Sequence, residues 1–208
     1  MDRLATYVRR QTVGRSSYAG RVERPSDDTR RTGSTTPPGR AAELLSALAE
    51  YRSARRRLLD LLGLTASNRD PVPELAEHLV AGLLGGQIAA SRVQAGWDVM
   101  TADGTVQVRT LSNTDTDRWV NEHVVRSVAG VDRYALVILE DLTVSAVLVF
   151  PGDLTRVGTL LGKRHGDQAA TLQLTRQDFI HLMADRAGAA TAGVQIWTPS
   201  ELQGETPS

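Results

Sequence analysis

The stretch Gly96-Trp97-Asp98-Val99-Met100-Thr101-Ala102-Asp103-Gly104-Thr105-Val106-Gln107-Val108-Arg109 decides how this chain folds. Trp97 to Met100 reads as a short strand interrupted by one charge, Asp98. Asp103-Gly104 is a strong hairpin turn signal. Thr105 to Leu111 alternates, with Val106, Val108 and Thr110 facing inward. Gln107 and Arg109 then share the opposite face, and the hairpin brings Asp98 close to Gln107.

Working outward, the preceding segment predicts a helix starting at Asp70-Pro71 or Pro73 and stopping at Gly85-Gly86. Leu75, Leu79, Leu83, Ala76, Val80 and Leu84 form its apolar face. Glu77 falls on the edge of that face and Glu74 points into solvent. Further upstream, Ala41, Leu44, Leu45, Leu48, Tyr51, Leu58, Leu59 and Leu62 recur at helical spacing over 41–62, and Gly63 is a fitting stop. Arg55, Arg56 and Arg57 interrupt this stripe as a solvated face. Downstream, Trp119 to Val128 is expected as a short helix. Arg133–Glu140 and Val144–Phe150 read as buried strands, and Asp153–Leu161 as a helix. Leu172–Leu174 is a short strand, followed by a helix capped by Thr175 with Asp178 at its third position.

Composition narrows the function classes. The chain has 208 residues, 41% hydrophobic and 23% charged, as a globular protein should. It has no cysteine, which excludes disulfides, thiolate metal sites and cysteine nucleophiles. No apolar run is long enough for a membrane span and none reads as a signal peptide, so a cytoplasmic location without membrane contact is expected. Zero net charge hides an asymmetry: residues 1–69 carry 14 arginines against 7 acids, and residues 70–208 carry 10 basic against 17 acidic side chains. The acidic part cannot hold nucleic acid by bulk charge and needs a local patch or a metal. Residues 1–39 read as a disordered Arg-rich tail, 40–69 as an amphipathic helix and linker, 70–198 as an α/β domain, and 199–208 as a fraying tail. The helix at 41–62 either completes the core or mediates dimerisation.

The residues with chemistry cluster in the hairpin. A carboxylate from Asp98 and an amide oxygen from Gln107 are hard donors suited to a divalent cation. Arg109, two residues along the strand, projects to the same side and can hold a phosphate. Metal, cation and phosphate together are the logic of phosphodiester hydrolysis. With Glu77 on the preceding helix, this run resembles the PD-(D/E)xK nuclease superfamily, in its Mrr-like variant, over about residues 70–150. The resemblance implies a restriction-endonuclease-like mixed central sheet flanked by helices. It implies Asp98 as principal metal ligand, Gln107 in the second acidic position, Arg109 in the lysine position and Glu77 as the helical acid. Mg²⁺ or Mn²⁺ would be the cofactor, DNA the substrate, restriction or defence the setting, and a homodimer or partner subunit the company. Two departures stand: Gln107 replaces an acid, and Arg109 replaces a lysine but stays protonated and cannot act as a base. The alternative is a catalytically inactive nuclease-fold binding or scaffold module in a larger assembly.

Each residue also has an ordinary structural role open to it. Asp98 can end a strand, Gln107 and Arg109 can line an edge, and Glu77 can pair with an arginine. Glu122 and His123 are accessory candidates, Glu122 as a stand-in for the missing acid and His123 as an acid or base near neutral pH. Asp115-Thr116-Asp117 reads as turn chemistry. Ser112 and His123 lack a third partner for a hydrolase triad. Neither a P-loop nor a dinucleotide fingerprint is present.

Overall fold

The computed structural model describes residues 38–65, 67–90, 96–163 and 171–204. Two compact units divide at Leu44/Leu45, within helix α1 (Pro38–Leu61). The expected tail at residues 1–37 lies outside the described residues. Helix α1 starts at Pro38, inside the segment expected to be tail. From Leu45 onward it is part of the second compact unit. Leu59 and Leu62 are buried, whereas Leu44, Leu45, Leu48 and Tyr51 are exposed. Arg55 is not part of a solvated face. Its guanidinium donates to the carbonyls of Ser67 (3.2 Å) and Arg69 (2.6 Å), fastening the connection to the next helix.

Helix α2 (Pro71–Leu84) forms as expected. The Asp70 side chain accepts from Val72 N–H at 3.1 Å, proline occupies the first turn, and Gly85 ends the helix in the left-handed region at φ 61°. Its buried face is rotated from the leucine stripe. Ala76, Val80 and Ala81 are buried together with Glu74 and Glu77, while Leu75, Leu79 and Leu83 are only half-buried. Small side chains allow close approach to the sheet and push the leucines to the flanks. Glu74 therefore does not point into solvent, and both carboxylates are partnered.

The main sheet has six strands: β1 (Gln87–Ile88), β2 (Val99–Thr101), β3 (Gly104–Asn113), β5 (Arg133–Glu140), β6 (Thr143–Pro151) and β8 (Gln195–Trp197), in that spatial order. Neighbours are antiparallel except β3 and β5, which run parallel. The chain is thus mixed α/β, with a mixed sheet flanked by helices. One face packs Val99, Val106, Val108, Ala135 and Val137 against α2. The other buries Leu111, Tyr134, Leu136, Leu148 and Phe150. Onto that second core pack Val125 of β4 (His123–Arg126), Leu172 and Leu174 of β7 (Thr171–Leu174), Leu182 of α4 (Arg176–Ala184) and Ala189 of α5 (Arg186–Thr191). Strands β4 and β7 pair only with each other. Helix α3 (Thr155–Leu160) follows β6.

Three further sequence readings are corrected. Trp119–Val128 is not a helix: a loop leads into β4. Trp119 is stacked on Phe179 with ring centroids 5.3 Å apart and donates to Glu140 at 2.7 Å. Asn113 Oδ1 accepts both Val120 and Asn121 N–H at 2.9 Å, which holds the loop extended. The hairpin loop is Ala102-Asp103, one residue earlier than expected, because Thr101 pairs with Gly104. The first part of the expected fraying tail is ordered: α6 (Pro199–Leu202) is held by a capping box between Thr198 and Glu201, and 205–208 lie outside the described residues. Strands β1 and β8 and helix α5 were not anticipated. The capping box of Thr175 and Asp178 is present as expected.

Two substitutions test these local arguments by thermal denaturation. A Cβ on Gly86 would stand 2.7 Å from the Met100 carbonyl oxygen and 2.8 Å from Val99 Cγ1. Gly86→Ala is expected to destabilise by roughly 1–3 kcal/mol. The β5–β6 turn places Asp141 at φ 48° and Leu142 at φ 57°. Because Leu142 is exposed, Leu142→Gly is expected to raise stability by about 1 kcal/mol.

Candidate functional site

The site begins where β2 runs out. Val99 pairs with Val106, so Asp98 lies across from Gln107 and projects to the same face. Its N–H still donates to Val106 O at 2.9 Å. Its side chain then replaces a strand carbonyl: Oδ2 accepts the Val108 N–H at 2.7 Å. A charged acceptor satisfies a β3 edge group that the main chain of β2 does not reach. Asp98 thus fills the ordinary role of strand terminator, with its carboxylate held on the Gln107 side.

Arg109 completes the group. Its Nη1 donates to Asp98 Oδ2 at 3.3 Å and to Val108 O at 2.7 Å. Its side chain is 47% exposed against 19% for Asp98, so the pair contributes at most about 1 kcal/mol to stability. Gln107 Nε2 reaches Gly96 O at 3.4 Å. Among the described contacts, Asp98 Oδ1 and Gln107 Oε1 accept nothing. One carboxylate oxygen and one amide oxygen are therefore open on neighbouring positions of one face, beside a half-exposed guanidinium.

Glu77 is placed differently. Its helix packs on the face carrying Val99, Val106 and Val108, whereas Gln107 and Arg109 project from the opposite face. The expected helical acid and the hairpin residues thus belong to opposite sides of the sheet. Glu122 does not stand in for the missing acid either. It precedes β4, and its carboxylate takes the Gln173 Nε2–H of β7.

His123 arrives on the hairpin's side of the sheet by a route the sequence reading missed. β4 places its Nε2 2.5 Å from the Tyr134 hydroxyl, and Tyr134 is the register partner of Gln107 on β5. Burial and the nearby Arg109 charge hold the imidazole pKa below its ordinary 6.5, which keeps it neutral at pH 7. Burial pushes the Tyr134 hydroxyl up to about 12, against the lesser pull of Arg109 and Arg126. The β-branched pair Val124-Val125 was the available signal for β4. Tyr134 gave no signal, because it sits in an otherwise apolar strand.

Among the described residues there is no group of three or more acidic, histidine or cysteine side chains able to hold a metal. Asp98 and Gln107 supply one carboxylate and one amide oxygen, donor types that hard cations such as Mg²⁺ and Mn²⁺ take. The Asp115–Asp117 segment is turn chemistry: Asp115 Oδ1 accepts Asp117 N–H at 2.8 Å. No family model matches the chain, and no curated protein matches its sequence. No described helix is long and apolar enough to cross a membrane.

The neutral His123 has a pH signature. The unfolded ring binds a proton as pH falls below 6.5 and the folded ring resists it. The fold thus holds its full His123 contribution above 6.5 and loses it as pH drops from there towards the depressed value. His123→Gln is expected to narrow the stability gap between pH 7.5 and pH 5.5, measured by chemical denaturation. An unchanged gap would show that the ring titrates normally.

Proposed function

We propose that the Asp98–Gln107–Arg109 face engages a phosphodiester, and that the protein is a divalent-metal-dependent DNA endonuclease with a restriction-endonuclease-like core. The observation that carries this reading is the convergence across one hairpin of a carboxylate, an amide oxygen and a guanidinium on one face. The order helix, three antiparallel strands, then a strand parallel to the third supports the same reading of the fold.

Asp98 Oδ1 and Gln107 Oε1 would hold Mg²⁺ or Mn²⁺. A cation there supplies Lewis acidity towards the phosphate and lowers the pKa of a bound water. The chain's own groups do the positioning. Val108 N–H keeps the Asp98 carboxylate fixed. Arg109 is exposed enough to turn from Asp98 to a phosphate oxygen, where it offsets charge that grows towards the transition state. It transfers no proton, since a guanidinium stays charged. With a single carboxylate in the donor set, these residues would hold a cation only weakly by themselves.

The second reading, an inactive module on the same fold, is favoured by a specific contact. Asp98 Oδ2 already accepts from both Val108 and Arg109. In that reading the hairpin acid is a strand cap and Arg109 its neutralising partner.

Asp98→Asn separates the two. An asparagine oxygen still accepts the Val108 N–H, so thermal stability should stay within about 1 kcal/mol of wild type. In the nuclease, cleavage of supercoiled plasmid by the wild type with Mg²⁺ or Mn²⁺ stops in chelator. It falls at least about a hundredfold in Asp98→Asn, as for loss of a principal charge-stabilising group. Absence of cutting by the wild type on unmodified plasmid and methylated genomic DNA, with either metal, would leave the inactive module as the reading.

A further inference from the structure

Positive charge is scarce over residues 70–208, with 10 basic side chains against 17 acidic ones. Several of these cations are held by the unit itself. Arg133, Lys163 and Arg186 pair with Asp103, Asp178 and Glu201 at 2.9, 2.6 and 3.0 Å. Arg176 donates to the Thr116 carbonyl at 2.7 Å. Arg126 does neither. It is exposed at the end of β4 and, among the described contacts, makes no hydrogen bond or ion pair.

The fold sets what surrounds it. β4 lies over the face of the sheet that carries Gln107 and Arg109, with Val125 in the second core. The bond between His123 Nε2 and the Tyr134 hydroxyl, 2.5 Å long, fastens it there. Tyr134 stands beside Gln107 in the parallel register, and Arg109 is one pleat further along the same face. Beneath the dominant effect of burial, the charges of Arg109 and Arg126 both act on the Tyr134 hydroxyl. Guanidiniums from two different strands thus converge on one hydroxyl, and like charges so placed repel each other until an anion joins them. Of the two, Asp98 takes that of Arg109. Glu122, the acid preceding β4, is turned to Gln173 of β7.

We propose that Arg126 is a second phosphate contact, so that a DNA backbone held at Arg109 continues over β4 to Arg126. The forked donors of a guanidinium suit phosphate oxygens. The Tyr134 hydroxyl, pushed up to about 12 by burial, stays protonated and adds no negative charge to repel the backbone. A local pair of arginines also answers the acidic balance of the unit, which cannot attract nucleic acid by bulk charge. The inference rests on the reading of Arg109 as a phosphate ligand, but not on cleavage: this contact needs no metal.

The test is binding of a fluorescent DNA duplex to the full chain in chelator, titrated over salt. Arg126→Ala should weaken binding at least about fivefold at low salt and flatten the slope of log K against log salt by about one. Arg126→Lys should keep the slope, because the charge remains. Neither change should move the thermal midpoint, since Arg126 is exposed. Arg156→Ala, at an exposed arginine of α3, should change the affinity less than about twofold, as screening expects of a charge outside the contact. Equal losses in Arg126→Ala and Arg156→Ala would reduce the effect to bulk charge and overturn the proposal. Weakening by Arg109→Ala without weakening by Arg126→Ala would overturn it and leave the phosphodiester reading of Arg109 standing. No binding by the wild type in chelator would overturn it as well, while plasmid cleavage with Mg²⁺ decides the nuclease reading separately.

Discussion

Burial of the central strands on both faces is the constraint from which the rest follows. Strands β5 and β6 have apolar residues facing α2 on one side and β4, β7, α4 and α5 on the other. Such strands cannot display polar side chains without partners. The exceptions on β5 are both partnered: the Tyr134 hydroxyl is joined to His123, and the buried Glu140 carboxylate accepts from Trp119 and Ser145. Polar chemistry is therefore confined to where the double cover ends. On β3 that place is Gln107 and Arg109, before Leu111 dips back into the second core. The position of the candidate site is a consequence of how far the cover extends.

Asp98 joins fold and site in one side chain. It terminates the pairing of β2 with β3 and satisfies the Val108 N–H, and the same oxygen takes the Arg109 guanidinium. A residue with one duty in the sheet edge and another towards solvent cannot be assigned from its contacts alone. The discriminating quantity is the negative charge, which the strand cap does not require and a cation does. For Arg109 the corresponding distinction is between a neutralising partner and a phosphate ligand, and its exposure leaves both geometries open to the same side chain.

Much of the core was legible because its signals were local. Alternation in Thr105–Leu111, the near-continuous apolar run Tyr134–Leu139 and the Thr175–Asp178 cap are each visible within a few residues. The failures all depended on distant partners. Trp119–His123 has helix-tolerant composition, but Trp119 is claimed by Phe179 and Glu140, and the following backbone by Asn113. The apolar face read for α2 rightly included Ala76 and Val80, but hydrophobic spacing weighted Leu75, Leu79 and Leu83 equally, whereas contact with a flat sheet favours the small residues and leaves the leucines half-buried at the flanks. Glu77 suffered from the same error: its nearness to the apolar stripe was read correctly, but which side of the sheet that stripe covers is a property of the assembled unit. Within the site, Asp98, Gln107 and Arg109 were placed on one face by the hairpin register alone, a purely local argument.

The connection from β3 to β5 shows how a fold can acquire a residue its hairpin lacks. Parallel neighbours need a crossover, commonly a helix that covers the sheet. Here the described crossover contains β4, which covers the second face by pairing with β7. A strand presents alternate residues to the sheet beneath, so burying Val125 commits His123 to the same side. Burial of that ring beside Arg109 lowers its pKa, leaving a neutral imidazole on the side of the sheet that carries Gln107 and Arg109. Covering the core with a strand instead of a helix is thus what sets His123 against Tyr134 on this side of the sheet.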